Sequence, residues 1–146
     1  MPGDYLKAGK IAMDKRQRIA ISEFVSDRTP RPLTGPLLTF DLPSEVAQLH
    51  AEPIWHTHGH NARTLLKQRD LRVVLVVLRE GKHVQEHEAS EPLAIQPLRG
   101  AMRVHVPTEI VELTANQLLS IDKRVPYGIE ATEDCELLLW VGWSKD

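Results

Sequence analysis

Cysteine is nearly absent: Cys135 stands alone in 146 residues. A single thiol excludes an internal disulfide framework and any zinc or iron–sulfur centre built on cysteines. An excess of charge of either sign is missing too, with 18 Lys and Arg against 20 Asp and Glu. That balance leaves no electrostatic footprint for nucleic acid. Long apolar runs are also lacking. The longest purely aliphatic stretch, Val73–Leu78, falls far short of a membrane span. The amino terminus mixes Asp4, Lys7, Lys10, Asp14, Lys15 and Arg16, which leaves no apolar signal segment. Met13 is a second candidate for the start of translation. Together these absences predict a soluble, cytoplasmic chain with neither nucleic acid nor membrane as partner.

What is present suits one domain of common size. Leu, Ile and Val number 39, enough to build a core without disulfides. They are unevenly spread. Residues 1–36 hold six of them and end in a Pro-rich stretch, whereas residues 71–141 hold 25. A segment that poor in apolar groups cannot offset its own ordering entropy. We therefore read 1–36 as an N-terminal arm that is mobile or docks on the body or a partner subunit, and 37–146 as the domain.

Leu42–Leu49 reads as one short helical turn with Ser44 as N-cap. From there the periodicity changes to short β segments. The expected strands are Arg63–Lys67, Leu71–Leu78, His83–His87, Leu93–Leu98, Met102–Val106, Glu109–Leu113, Gln117–Ile121, Tyr127–Ala131 and Glu136–Val141. Breakers such as Glu80-Gly81, Arg99-Gly100, Pro107 and Ala115-Asn116 separate them. Many short strands at near-regular spacing argue for an antiparallel sandwich or barrel. Val73–Leu78 lacks alternation, so that strand is expected to be buried on both faces.

The stretch Gly81-Lys82-His83-Val84-Gln85-Glu86-His87-Glu88-Ala89, with Gly100 thirteen residues beyond His87, resembles the first motif of the cupin superfamily. That motif reads Gly, five residues, His-x-His, then Glu, then a Gly that closes a hairpin. The second motif reads Gly, five residues, Pro-x-Gly, two residues, His. Its frame here is Asn116 through Tyr127, and the side chains at its Gly, Pro, Gly and His positions do not match. The resemblance covers roughly residues 60–143. It implies an all-β fold, a double-stranded β-helix or jelly-roll barrel with a pocket at one mouth, which strand counting reaches independently.

Metal-binding cupins take ligands from both His of His-x-His, the following Glu and the second-motif His. Those positions read His87, Ala89, Leu93 and Tyr127. Ala and Leu offer no lone pair and a neutral Tyr is a poor ligand, so the resemblance implies a site without the usual metal. A divalent transition metal has two remaining routes. His56, His58 and His60 sit at period two and, if extended, project from one face roughly 6.5–7 Å apart; the other reading is a polar loop whose histidines face water. His83 and His87 share a strand face but lie roughly 13 Å apart, too far to chelate.

Three functions follow as expectations. In the first, the protein binds a small molecule in a metal-free barrel mouth lined by His87, Ala89, Leu93 and Tyr127. In the second, it is a metal-dependent dioxygenase or isomerase that combines His87 with His56, His58 and His60. In the third, His87 as base and Tyr127 as acid transfer a proton without metal. His105 alternates with Arg103 and Ala101, which reads as a surface histidine. Cys135 lies in an acidic context that raises a thiol pKa, so it is a poor nucleophile. Trp140 and Trp143 read as core or interface anchors. By resemblance a two-fold homodimer is the expected assembly.

Overall fold

From His60 onward, alternation and turn residues govern the local structure. The computed structural model describes residues 18–20, 32–86 and 90–142. Its elements run β1 (Arg18–Ala20), α1 (Leu42–Ala51), α2 (Pro53–His58), β2 (His60–Lys67), β3 (Leu71–Leu78), β4 (His83–Glu86) and β5 (Leu93–Arg99). They continue with β6 (Ala101–Val106), β7 (Glu109–Thr114), β8 (Leu119–Ile121), β9 (Tyr127–Ala131) and β10 (Cys135–Gly142). Two five-stranded sheets result, in the orders β1-β4-β9-β6-β7 and β2-β3-β10-β5-β8. Every pairing is antiparallel except that of β1 with β4, where Arg18–Ala20 adds a parallel edge strand. The low apolar content of that segment gave no strand signal. No helix among the described residues is long and apolar enough to cross a membrane.

The inner faces of the two sheets enclose one apolar core. β3 contributes Val74, Val76 and Leu78, β10 Leu137 and Leu139, β5 Leu93 and Ile95, and the opposing sheet Val84, Met102, Val104, Tyr127 and Ile129. A second core lies behind β3. There α1 sets Val46 and Leu49 against Leu65, Val73, Leu75, Val77 and Leu138. Val73–Leu78 is therefore buried on both faces, as its lack of alternation implies, and the cover is a helix of the same chain. Full burial of each such side chain is worth about 1.5–3 kcal/mol.

The helical region corrects the sequence reading in two places. Asp41, not Ser44, caps α1: its Oδ1 accepts the Ser44 N–H at 3.2 Å, with Pro43 in the first turn where a missing N–H costs nothing. A second helix, α2, follows at Pro53 and ends at Gly59 in the left-handed conformation (φ 72°). Arg63, on the outer face of β2, fastens α1 to the sheet. Its Nη1 donates to Glu45 at 2.9 Å and to Gln48 at 2.8 Å, and Nη2 lies 3.5 Å from Glu52.

Backbone geometry follows both motifs even where side chains depart from them. Gly100 joins β5 to β6 at φ 83°, and a Cβ there would run into the Asp134 carbonyl oxygen. Asn116 (φ 73°) and Arg124 (φ 66°) are the non-glycine residues with positive φ among those described. They occupy the two glycine positions of the second motif. That conformation disfavours β-carbon-bearing residues, so its presence at Asn116 and Arg124 marks turns dictated by the surrounding sheet.

Candidate functional site

Strand register identifies the barrel mouth. Arg72, near the start of β3, pairs with Lys67 at the end of β2 and with Val141 near the end of β10. Val141 also pairs with Leu93, which begins β5 and pairs with Ile121 at the end of β8. On the opposing sheet Tyr127 begins β9 opposite Glu86 at the end of β4. Leu93 and Tyr127 are buried, at 5% and 1% exposure, in the same inner cluster as Ile121, with Val125 and Val141 packed against it. The structure thus places two of the expected pocket residues in one cluster. His87 and Ala89 lie outside the described residues.

Sequence reasoning missed the cation. Arg72 keeps phase with Val74, Val76 and Leu78, so it faces inward at the mouth. Burial pushes its pKa down, and the nearby Tyr127 opposes that shift. Its signal was hidden because β3 is apolar on both faces, which erases the alternation that assigns a side. A bulge in β2 brings Lys67 to the same face. Thr64 pairs with Val74 and Leu66 with Val73, so Leu65 is an extra residue. Leu65 and Leu66 then both join the outer core, and Lys67 comes round opposite Arg72. Thr64, one step deeper on the inner face, has a buried hydroxyl with no hydrogen-bond partner.

The histidine cluster is not extended. His56 and His58 stand on α2, both exposed, where a two-residue step turns them to different sides of the helix. Thr57 Oγ1 lies 2.8 Å from His58 Nδ1, and the His58 and His60 rings meet edge-on at 5.7 Å. Pro53 favours the helical start that the strand reading overlooked. His60 pairs with Leu78, at the end of β3 remote from Arg72. Six residues of strand put it roughly 20 Å from the mouth. That separation corrects the expectation that His56, His58 and His60 join a site at the mouth.

His105 is a second correction. It lies on the outer face of its sheet as alternation predicts, but it is 2% exposed, not a surface residue. Its Nε2 is 3.0 Å from Glu130 Oε1, while His83 Nε2 is 3.7 Å from the other oxygen of the same carboxylate. One carboxylate on β9 thus serves imidazoles from β4 and β6. Burial lowers the His83 pKa, and Glu130 partly offsets that shift. Cys135 is buried with its thiol pushed up to about 12, chiefly by burial and then by Asp134, Glu136 and Glu133. Trp140 is partly exposed and donates from Nε1 to Gln96 Oε1 at 2.9 Å, whereas Trp143 lies outside the described residues.

A groove of about 600 Å³ lies behind the barrel between α1 and the ends of β5 and β10, lined by Leu42, Val46, His50, Leu98 and Glu136 among others. It contains none of the motif residues. As for the metal that the fold family implies, the described ligand positions do not fit it. The side chain of Leu93 is part of the apolar core, and Tyr127 offers a phenol where an imidazole is needed. Among the described residues, no three His, Cys, Asp or Glu side chains are grouped to hold a metal ion.

Two facing sheets closed around one core, with both motif turns at a single barrel, define a double-stranded β-helix; this is the fold of the cupin superfamily. A conserved protein of unknown function from Streptococcus pyogenes is similar, with 21% identity and a TM-score of 0.55 over 60% of this chain and 76% of that one. A cupin-2 domain protein from Shewanella frigidimarina gives 14% identity and a TM-score of 0.58, covering 71% and 94%. A mutant form of salicylate 1,2-dioxygenase from Pseudoaminobacter salicylatoxidans gives 17% and 0.64 over 82% of this chain. The match spans only 41% of the dioxygenase. No protein-family model matches the sequence, and no curated protein does. Identities this low establish shared fold alone.

Proposed function

We propose that the protein binds a small organic molecule in the mouth of its barrel, without the metal on which cupin sites usually depend. The observation that carries this reading is the mouth's composition. Leu93, Ile121 and Val141 form an apolar wall, into which Arg72, Thr64 and Tyr127 set a few polar groups on the inner face. Apolar walls with sparse, fixed polar groups are the ordinary make-up of small-molecule sites. The ligand positions at Leu93 and Tyr127 serve a guest's apolar body better than a cation. The proposal keeps His87, on its place in the motif, as a further polar contact. A two-fold homodimer remains the expected assembly, which light scattering on the purified protein measures.

The test is a screen of metabolite-sized compounds by native mass spectrometry in the presence of a chelator. Val141→Trp fills the mouth from a half-buried position between Arg72 and Leu93. The proposal expects compounds that bind the wild type and fail to bind this variant. Compounds that bind both equally, or only when metal is supplied, contradict it. Tyr127→Phe separates binding from proton transfer, since it keeps the ring and removes the acid.

A further inference from the structure

Behind the barrel, the groove of about 600 Å³ between α1 and the outer face of β5 and β10 has a charged floor. Glu136 pairs with Val77 and keeps phase with Leu138, both in the outer core, so its side chain faces the groove and not the barrel interior. A bulge in β5 sets its neighbours. Leu137 pairs with Pro97 and Glu136 with Arg99, which leaves Leu98 as the extra residue. Leu98 joins the groove wall, and Arg99 comes to the rim. Glu136 is only 8% exposed, and a carboxylate so deeply placed ordinarily accepts hydrogen bonds. Here it accepts none among the described residues. Its one ionic neighbour is Arg99, whose Nη1 stands 3.8 Å away on a side chain that is 74% exposed. That distance is longer than a hydrogen bond and leaves the acceptor sites of the carboxylate open.

We infer that this groove is a second ligand site, which takes a small amphiphilic amine: the ammonium on the Glu136 carboxylate and an apolar body along Leu42, Val46 and Leu98. An ammonium brings donors and a full positive charge to a carboxylate that lacks hydrogen bonds, and charge-assisted bonds are roughly twice as strong as neutral ones. The local field has the matching sign. Glu133 and Asp134 immediately precede β10, and together with Glu136 they help push the Cys135 thiol up to about 12. Arg99 opposes them, but an exposed ion pair at that distance is screened by water and holds its partner weakly. The walls define the rest of the guest. Val46, Ala47 and Leu98 have no side-chain donor or acceptor, so the body that lies along them is apolar. A volume of about 600 Å³ is in the range of small-molecule sites. The groove is separate from the barrel mouth, since Glu136 and Val141 lie on opposite faces of β10 and roughly 17 Å apart along it.

Matched amines, alcohols and acids test the inference by calorimetry on the full chain: phenethylamine, phenethyl alcohol and phenylacetate, with octylamine, octanol and octanoate as the aliphatic set. We expect at least one amine to bind about tenfold or more tightly than its alcohol. Glu136→Gln, which keeps the shape and removes the charge, should weaken the amine by about tenfold and leave the alcohol within about threefold. Arg99→Met, which removes the opposing cation, should tighten the amine severalfold. Ala47→Trp, at an exposed position on α1, fills the groove and should abolish binding, whereas Val141→Trp at the mouth should leave it unchanged. Circular dichroism checks that each variant folds. Alcohol that binds as tightly as the amine, or amine affinity indifferent to Glu136→Gln, overturns the inference. A preference for the acid that is lost in Arg99→Met also overturns it, because it assigns the groove to an anion. Amine binding that survives Ala47→Trp and disappears in Val141→Trp places the guest in the mouth, so the second site fails while the mouth reading stands. If no amine binds at millimolar concentration, the inference fails alone, since the mouth reading does not depend on it.

Discussion

The clamp between α1 and the sheet yields a prediction that can be worked through in numbers. Arg63 and Glu45 meet at 2.9 Å with side-chain exposures of 8% and 11%, so water screens them little. At an effective dielectric near 20, unit charges about 4 Å apart attract by about 4 kcal/mol. Removing one partner of a buried pair costs about 3–5 kcal/mol, because the other charge stays desolvated. The Glu52 contact is longer and more exposed, and it adds little. Arg63→Met should therefore destabilise the fold by about 3–4 kcal/mol, which for a chain of this size lowers Tm by roughly 10 °C. Replacing both partners, as Arg63→Met with Glu45→Leu, should recover most of the loss and land within about 1.5 kcal/mol of wild type. Urea denaturation of the wild type, both single variants and the double variant measures the coupling. A single-variant cost below about 1 kcal/mol, or strictly additive losses, refutes the reasoning.

Other consequences are simpler. Gly100→Ala should cost about 3 kcal/mol or more, since its Cβ would meet the Asp134 carbonyl and lie 2.8 Å from Cys135 Cα. Gly81→Ala, with positive φ but open space, should cost only about 1 kcal/mol; equal thermal shifts for the two variants contradict this. Cys135 should resist a disulfide reagent at mildly alkaline pH until the protein unfolds. Its folded pKa, about 12, lies above the ordinary thiol value of 9.0, so its contribution to stability is intact below that value and declines as pH rises toward 12. His83 has the opposite sign. Its folded pKa is depressed from 6.5, so its contribution is present above that value and is lost as pH falls. Denaturation midpoints measured across both ranges check the two slopes, and His83→Gln should flatten the acid one.

Much of the fold was legible because strands here announce themselves. Leu71–Leu78 and Tyr127–Ala131 have the same bounds in sequence and structure, and most other strands differ by one or two residues at an end. What failed failed for identifiable physical reasons. Period-two histidines look extended, yet Pro53 and a left-handed Gly59 frame a helix of six residues around His56 and His58. His105 was assigned the correct face, but alternation says nothing about burial of an outer face. The mouth itself was half legible. Leu93 and Tyr127 came from motif spacing, whereas Arg72 sits at the head of a run apolar on both sides, and Lys67 reaches the inner face only through a bulge. Bulges shift parity without leaving a trace in composition, so periodicity alone cannot find them.

The proposed function turns on a barrel mouth that binds its guest without a metal. Elemental analysis of protein purified without a polyhistidine tag, paired with ligand affinity before and after chelation, tests it most directly. The expected result is less than about 0.1 equivalent of any transition metal and an affinity unchanged by the chelator. Near-stoichiometric metal, with binding lost on its removal and restored on its return, contradicts it.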